Sequence, residues 1–393
     1  MPTDVCVARS TADSALAAGT EVGSALAAAA AADLPPKLCI LFASVTYDLK
    51  ELLVGLRGVL GDVPNLGCTS VSQFTHQGVT NPGVSAALIS SDEMHVQVEA
   101  AQQWTNDPKA AVAKVLQQFN SNSNRGKPLW RGRTLLLMAD GLRGGIETLA
   151  RQFTVQSGMK YQIFGSVAAD DVQFKETFVF HGSEVSSGAF ACAEVLSAKP
   201  FGLGYGHGWV PEGRPLRVTH VDGACLIELN GRPAWEAYRE FAAARGDSIA
   251  PGEEQGYLIS HVLGLEQDGT YKLRVPLINN ADGSLSMAME VMEGEIVRIM
   301  CPEVDGLLNS GKDSLAKGQQ SLDPEECAGG ILIECAATQL QLGERFGERV
   351  EVSLTGAAGY PLLGSASYGQ VVRAIGGVTG VSCASSVSCL IPN

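Results

Sequence analysis

Residues 38–44, L-C-I-L-F-A-S, form a continuous apolar run with the length of a buried strand. Residues 47–61, Y-D-L-K-E-L-L-V-G-L-R-G-V-L-G, follow, with leucines at 49, 52, 53, 56 and 60. This spacing places the leucines on one face of a helix. Residues 64–70, P-N-L-G-C-T-S, then begin a further strand. The stretch therefore predicts a strand, a helix and a second strand.

The same order recurs twice along the chain. Residues 134–139 (T-L-L-L-M-A) and 330–336 (G-I-L-I-E-C-A) each read as a buried strand followed by a helical stretch, the first over about 144–158. In all three units we predict that the closing strand ends in a turn at a glycine, namely at Gly67-Cys68, Gly165-Ser166 and Gly364-Ser365. Each glycine would permit a sharp bend or a close approach to another element.

Length and internal resemblance together predict how the chain is divided. A chain of 393 residues exceeds an ordinary single domain. We expect an α+β fold with α/β character, in which two related lobes of mixed β-sheet are flanked by helices. A ligand cleft would lie between or within the lobes. Residues 1–36 would form an alanine-rich N-terminal helix, residues 37–200 the first domain and residues 201–393 the second.

Composition and charge exclude several classes of function. The net charge of −14 argues against a nucleic-acid or anionic-membrane partner, since either needs a positive surface. The apolar run at 24–32 is too short to span a membrane. The ten cysteines contain no C-x-x-C pair and are interpreted as reduced thiols. With no basic segment typical of a signal peptide at the N-terminus, we expect a cytoplasmic protein.

Few motifs for catalysis are present. The sequence has no G-x-x-x-x-G-K-[ST], G-x-S-x-G or H-E-x-x-H motif. Cys68 is a candidate nucleophile at a strand end, although a buried structural thiol is the simpler interpretation. Asp170 and Asp171 are interpreted as residues of a solvated turn, because neighbouring residues of a strand point to opposite faces and cannot share a proton.

Two pairs of segments resemble a known family. F-A-S-V-T-Y-D-L-K-E-L-L-V-G-L (42–56) with N-L-G-C-T-S (65–70) resembles the FIST N domain. G-H-G-W-V-P (206–211) with L-N-G-R-P-A-W-E-A-Y (229–238) resembles the start of the FIST C domain. The resemblance implies a sensory module that binds small molecules such as amino acids. Some bacterial members are haem proteins that sense nitric oxide and regulate a partner histidine kinase.

His207 is the first candidate for ligand binding. If haem is bound, His207 is the candidate axial ligand of its iron, since Gly206 and Gly208 would let a planar molecule approach the ring. Trp209 would form a wall of the same pocket. The alternative is that His207 hydrogen-bonds backbone groups and stabilises a glycine-rich bend.

Arg274 is the candidate for an anionic ligand. It stands in the otherwise apolar run Y-K-L-R-V-P-L-I (271–278) and could bind a carboxylate through two hydrogen bonds, with Asn279 adding amide contacts. An internal ion pair is the alternative. A redox role for Cys383 and Cys389 also stays open, although their six-residue separation is too long for a disulfide within one strand.

Two hypotheses about function follow. The first is a cytoplasmic sensor that binds a small molecule or haem and regulates a signalling partner, such as a histidine kinase, in trans. The second is an enzyme that uses Cys68 or another polar group at a pocket beside one of the glycine turns. The sequence does not predict the oligomeric state.

Overall fold

The computed structural model describes residues 3–122, 130–267, 269–322, 326–357, 359–373 and 379–393. Within these residues the strands form four sheets. The first segment contains one strand–helix–strand unit with an added hairpin and flanking strands. Its elements are β1 Thr3–Ser10, α1 Ala15–Ala29, β2 Pro36–Ala43, α2 Leu49–Leu60, β3 Asn65–Thr69, β4 Ser72–Thr75, β5 Gly78–Thr80 and β6 Val84–Ser91.

The second segment repeats that order of elements. It consists of β7 Met94–Gln102, α3 Pro108–Asn122, β8 Gly132–Ala139, α4 Ile146–Gln156, β9 Gln162–Val167, β10 Val179–His181, β11 Glu184–Ser186 and β12 Ala189–Ser197. A third segment begins with β13 at Gly202–Gly206.

Residues 209–302, here called the insert, interrupt the third segment. The insert contains β14 Trp209–Pro211, β15 Leu216–Asp222, β16 Cys225–Leu229, β17 Arg232–Pro233, α5 Ala234–Arg245, α6 Glu254–Ile259, β18 Leu263–Gln267, β19 Thr270–Arg274, β20 Pro276–Asn279, β21 Leu285–Met287 and β22 Ile296–Pro302. Its strands build the fourth sheet.

The third segment then resumes in the order of the other two. It continues through α7 Val304–Gln319, β23 Cys327–Cys335, α8 Ala336–Leu342, α9 Phe346–Gly356, β24 Leu362–Ser367, β25 Gly369–Arg373, β26 Thr379–Ser382 and β27 Ser386–Pro392. We call the three segments without the insert the three-sheet body.

The three sheets of this body share one topology, and each segment contributes one hairpin to the sheet of another segment. Their strand orders are β1-β6-β2-β3-β10-β11, β7-β12-β8-β9-β25-β26 and β13-β27-β23-β24-β4-β5. In each, a central parallel pair is flanked on both sides by antiparallel strands. The last two strands are always a hairpin from another segment. The body is therefore a pseudo-threefold arrangement in which every segment completes a neighbour's sheet.

The three glycine pairs lie inside strands, so the predicted turns are wrong. Gly67, Gly165 and Gly364 occupy equivalent positions in β3, β9 and β24, opposite Leu41, Leu137 and Leu332 of the parallel partner strands. A Cβ atom on Gly67 or Gly165 would collide with the carbonyl oxygen of the leucine opposite. The glycines therefore permit close approach between strands, which is the other role considered for them.

Strand alternation builds a central core and separate outer layers. In β2, Leu38, Ile40 and Phe42 face a central cluster to which all three sheets contribute, while Cys39 and Leu41 face α1 and α2. The insert has an apolar core of its own and also packs against the outer layer of the second sheet. Period-two alternation of this kind is expected for sheets covered on both faces.

The predicted fold class is confirmed, since mixed sheets and helices form an α+β structure. The predicted boundary near residue 200 lies between β12 and β13, and the division into two domains stays a prediction. The predicted N-terminal segment contains the helix α1 and also β1, which pairs with β6. Among the described residues, no helix combines the length and apolar character needed to cross a membrane.

Candidate functional site

A cavity of about 420 Å³ lies between the three-sheet body and the insert. On the side of the body it is bounded by residues at or just beyond the carboxyl ends of β8, β9, β23 and β24. In open α/β sheets, ligands bind in crevices outside the carboxyl ends of the strands. Its lining residues are Gly141, Leu142, Val167, Val172, Phe174, Gln255, Ile259, Val275, Leu277, Met287, Ala288, Met289, Cys335, Ala336, Ala337, Leu340, Tyr368 and Cys383.

The cavity wall is mostly apolar. Gln255 and Tyr368 supply its polar side chains, and among the described lining residues there is no Lys, Arg, His, Asp or Glu. The insert contributes two short stretches of apolar residues to the wall, one around the junction of β19 and β20 and one from the end of β21 onward, namely Val275, Leu277, Met287, Ala288 and Met289. A volume of this size is typical of pockets for small organic molecules.

A pair of stacked aromatic rings lies at the edge of the cavity. Phe174 and Tyr368 stack with ring centroids 4.6 Å apart and an angle of 10° between the planes. Phe174 keeps 48% of its surface exposed. The loop that carries it is strained, with positive φ angles of 55° at Asp171, 63° at Val172 and 53° at Phe174. Such strain in residues other than glycine is concentrated at functional sites.

Asp170 holds this loop in place, so its interpretation as part of a solvated turn is wrong. The side chain is buried, and its carboxylate accepts hydrogen bonds from the backbone N–H groups of Phe174 (2.9 Å), Lys175 (2.6 Å) and Glu176 (2.9 Å). The Tyr368 hydroxyl donates a further hydrogen bond to it. Asp170 therefore positions both aromatic residues of the cavity edge.

Arg274 is close to the cavity in sequence but its charge is neutralised internally. Its guanidinium is buried, donates from Nη2 to Glu147 Oε2 at 2.8 Å and from Nε to the Glu290 carbonyl at 2.7 Å. Lys272 Nζ lies 3.0 Å from the other oxygen of Glu147. Burial raises the pKa of Glu147, but Arg274 and Lys272 outweigh it and hold that pKa below its usual value. This is the internal ion pair considered as the alternative.

Asn279 lies at the end of β20, two residues after Leu277 of the cavity wall. Its Oδ1 atom is buried and has no hydrogen-bond partner among the described residues. Asn279 is not one of the lining residues, and the structure does not bring it together with Arg274 around a common space.

His207 lies in the bend between β13 and β14, away from the cavity wall. Its Nδ1 accepts the backbone N–H of Trp209 at 3.2 Å, and Nε2 is 3.2 Å from Thr270 Oγ1. Trp209 is buried and donates from Nε1 to the carbonyl of Ala384. Burial, together with nearby Lys317, lowers the pKa of His207 to about 4. The arrangement matches the hydrogen-bonded bend considered for this histidine.

The surroundings of His207 do not fit an axial haem ligand. Both ring nitrogens are already hydrogen-bonded, and the neighbouring glycines do not open onto free space. A Cβ atom on Gly206 would collide with the carbonyl oxygen of Ser310, and one on Gly208 with the backbone of Leu307, both in α7. These glycines let a helix approach closely. Whether the protein binds haem stays a prediction.

The thiol of Cys68 lies in the central core. It is fully buried, with Sγ 3.9 Å from Met138 Sδ, and burial raises its pKa to about 12. Because the thiolate is the nucleophile, this environment favours the structural role. Cys383 lines the cavity and Cys389 belongs to the central core. Among the described residues, no group of three or more His, Cys, Asp or Glu side chains could hold a metal ion.

Comparison with family models decides the membership of the chain. The FIST N domain matches residues 37–232 and the FIST C domain matches residues 234–373. The chain belongs to the FIST family. FIST domains are associated with ligand binding in sensory signal transduction and are generally not catalytic. The cavity is lined by residues from both matched regions and by Cys383 beyond them.

A curated relative extends the comparison. An uncharacterised protein of Methanocaldococcus jannaschii is 26% identical over 203 residues. The match covers 48% of this FIST chain and 38% of the relative, well under two thirds of its length.

Proposed function

We propose that this FIST protein is a sensor that binds a small, uncharged and largely apolar molecule in the cavity between the three-sheet body and the insert. The observation that carries the proposal is the apolar wall of that cavity, to which both parts of the molecule contribute. Excluding water from such a wall is the main source of affinity for an apolar ligand.

An uncharged ligand fits the cavity better than an amino acid. Burying an ionised group without a partner is costly, and the described lining residues offer no charged side chain. Arg274, which sequence analysis associated with a carboxylate ligand, already pairs with Glu147 and donates to backbone carbonyls. Binding a carboxylate there would break a buried ion pair.

Binding is also favoured over catalysis. The cavity wall lacks a histidine or carboxylate that could serve as a general base among its described residues, and Cys68 lies in the central core instead. Tyr368, whose hydroxyl could contribute, is hydrogen-bonded to Asp170 and its pKa is raised by burial.

Signal output would arise from the junction between the two parts. β19 and β20 run from Lys272 and Arg274, which form ion pairs with Glu147, to the cavity residues Val275 and Leu277. A ligand that contacts both the three-sheet body and the insert binds more tightly to the conformation in which both line the cavity. Such a difference in affinity between conformations is the requirement for a population shift. We propose that a signalling partner reads this change in trans. A histidine kinase partner and nitric oxide sensing through haem rest on the family resemblance, and a cytoplasmic location rests on the lack of a basic segment typical of a signal peptide.

The proposal is tested by filling the cavity. Ala337→Phe places an aromatic side chain in it, while Ala244→Phe makes the same change on exposed α5. Displacement of a fluorescent apolar dye by uncharged organic probes and by amino acids would be measured for each protein. We expect uncharged probes to bind wild type and Ala244→Phe equally, and Ala337→Phe at least about tenfold more weakly, or about 1.4 kcal/mol.

Two results would contradict the proposal. One is unchanged binding of the uncharged probes by Ala337→Phe. The other is tight binding of amino acids by a wild-type protein that does not bind the uncharged probes. In that case Arg274 would again be the candidate for binding a carboxylate ligand.

A further inference from the structure

The cavity wall is unusually rich in sulphur. Met287, Met289, Cys335 and Cys383 are four of its 18 lining residues. The whole chain contains 10 cysteines and 8 methionines among 393 residues, so average composition would place about one such residue there. The four side chains come from three separate stretches, one on the insert that carries both methionines and two on the three-sheet body. The enrichment therefore reflects this space and does not come from one sulphur-rich segment.

The sulphur atoms are held in a neutral, polarisable state. Burial raises the pKa of the Cys335 and Cys383 thiols, so both stay protonated at neutral pH. Methionine is unbranched and adapts its shape to the molecule beside it. Contacts between sulphur and an aromatic ring are each worth about 0.3–1.5 kcal/mol.

The stacked pair of Phe174 and Tyr368 adds aromatic surface to the same space. Tyr368 is fixed by its hydrogen bond to Asp170, and the half-exposed Phe174 lies against it from the strained loop. Aromatic rings prefer offset-stacked or edge-to-face neighbours at centroid separations of about 4.5–7 Å. Four sulphur-containing residues and two aromatic residues thus line the cavity, and their side chains interact better with an aromatic ring than with a saturated one.

We propose that the ligand is an uncharged aromatic molecule whose ring contacts Met287, Met289, Cys335 and Cys383 and the Phe174–Tyr368 pair. This inference rests on the proposed function and names the chemical class of its ligand. Phe174 is then the residue that covers the bound ring, since it combines exposure with a strained backbone.

A pair of probes with one skeleton tests the inference. 2-Naphthol is aromatic, and decahydro-2-naphthol is its saturated counterpart with the same hydroxyl group. The saturated compound has more apolar surface, so the hydrophobic effect alone favours it. We expect wild type to bind 2-naphthol at least about fivefold more tightly, measured by isothermal titration calorimetry, because several sulphur and ring contacts each add about 0.3–1.5 kcal/mol.

A variant without the two thioethers isolates the sulphur contribution. Met287→Leu with Met289→Leu keeps the volume and the apolar character of the wall. We expect it to lower the preference for the aromatic probe to near unity while still binding the saturated one. Met138→Leu, in the central core, is the matched control and should leave the preference unchanged.

The outcomes separate this inference from the proposed function. Equal or tighter binding of the saturated probe by wild type overturns the inference and leaves an apolar ligand site. A preference that persists in the double variant overturns the sulphur argument. If neither probe binds wild type, and Ala337→Phe changes nothing, both the inference and the proposed function fail. Because the wild-type comparison needs no variant, misfolding of a mutant cannot hide the answer.

Discussion

Burial determines the pKa and the hydrogen bonds of His207, although its small neighbours in the sequence would suggest an exposed ring. The ring lies between the N–H of Trp209 and the hydroxyl of Thr270, and it packs edge-on against Tyr205 with centroids 5.8 Å apart. With Nδ1 accepting, the neutral ring carries its proton on Nε2 and donates it to Thr270. Protonation of Nδ1 would remove the acceptor of the Trp209 N–H and so loosen the bend.

This environment predicts a stability change with pH. Below pH 6.5 the histidine takes up a proton in the unfolded chain, but in the folded protein it does so only near pH 4. The unfolded state therefore binds more protons, and the free energy of unfolding falls as pH is lowered through this window. The lowered pKa of His207 corresponds to about 3 kcal/mol of unfolding free energy.

His207→Asn isolates that contribution. The amide oxygen of asparagine can accept the Trp209 N–H as Nδ1 does, but asparagine does not titrate. Urea unfolding at several pH values should show a shallower decline between pH 6.5 and 4 for the variant than for wild type. Parallel curves would mean that His207 is not held neutral. Absorption spectra of both proteins after haem supplementation would show whether a Soret band depends on this residue.

For single residues, the sequence indicated which side chains form specific interactions but not which residues they interact with. Both alternatives for Arg274 could be stated from its apolar strand, but the ion pair joins residues 127 positions apart. Nothing local to either residue indicates that pairing. The cavity residues were missed for a related reason, since apolar residues in or beside strands, such as Val275, Leu277 and Met287, have the same local pattern as ordinary core residues.

Between elements, the clearest connection is the ion pair from α4 to β19. Glu147 lies in the first turn of α4, and it also accepts the Val381 N–H of β26 at 3.0 Å. One carboxylate thus joins the second segment, the third segment and the insert. Buried pairs of this kind add little net stability compared with apolar residues, but breaking one leaves an uncompensated charge.

Glu147→Gln should therefore destabilise the protein by about 3–5 kcal/mol at neutral pH, measured by urea unfolding. In wild type, the lowered pKa of Glu147 means that its contribution is present at neutral pH and is lost as pH falls below about 4.5. The variant should lack that component of acid sensitivity.

Glu348→Gln is the matched control for this change. Glu348 forms an exposed pair with Arg345 on the surface, and surface pairs contribute little to stability. We expect no measurable change for this variant. A loss of stability as large as that of Glu147→Gln would show that removal of any carboxylate is harmful and would remove the argument for a special role of the ion pair.

Local sequence patterns predicted which segments form strands and helices, but they did not predict which strands lie next to each other. The apolar run at 38–44 and the leucine face of α2 predicted β2 and α2, because both depend on periodicity within one element. The glycine pairs were misplaced into turns because close strand approach and a sharp bend demand the same residue. Only the strand opposite, at Leu41 or Leu137, distinguishes the two uses.

At the scale of the whole molecule, hairpin exchange makes the three segments depend on one another. β4 and β5, from residues 72–80, complete the sheet of β23 and β24, and β25 and β26 complete the sheet of β8 and β9. The three strand–helix–strand units were visible in the sequence, but the exchange was not. A short hairpin carries no local record of which sheet it joins, since that choice is made by contacts between distant segments.

This dependence predicts how the chain responds to division near residue 200. The fragment 1–200 would lack the hairpin of β25 and β26 and would leave β4 and β5 without their sheet, and the central core would be exposed. We expect neither 1–200 nor 201–393 to fold alone. Co-expressed, the two should form one complex whose circular dichroism matches the intact chain, recovered through an affinity tag on either fragment. A soluble, monomeric 1–200 fragment with cooperative unfolding would instead support two independent domains. In that case the exchanged hairpins would only join units that are already stable, and the cavity at their junction could open without disturbing either core.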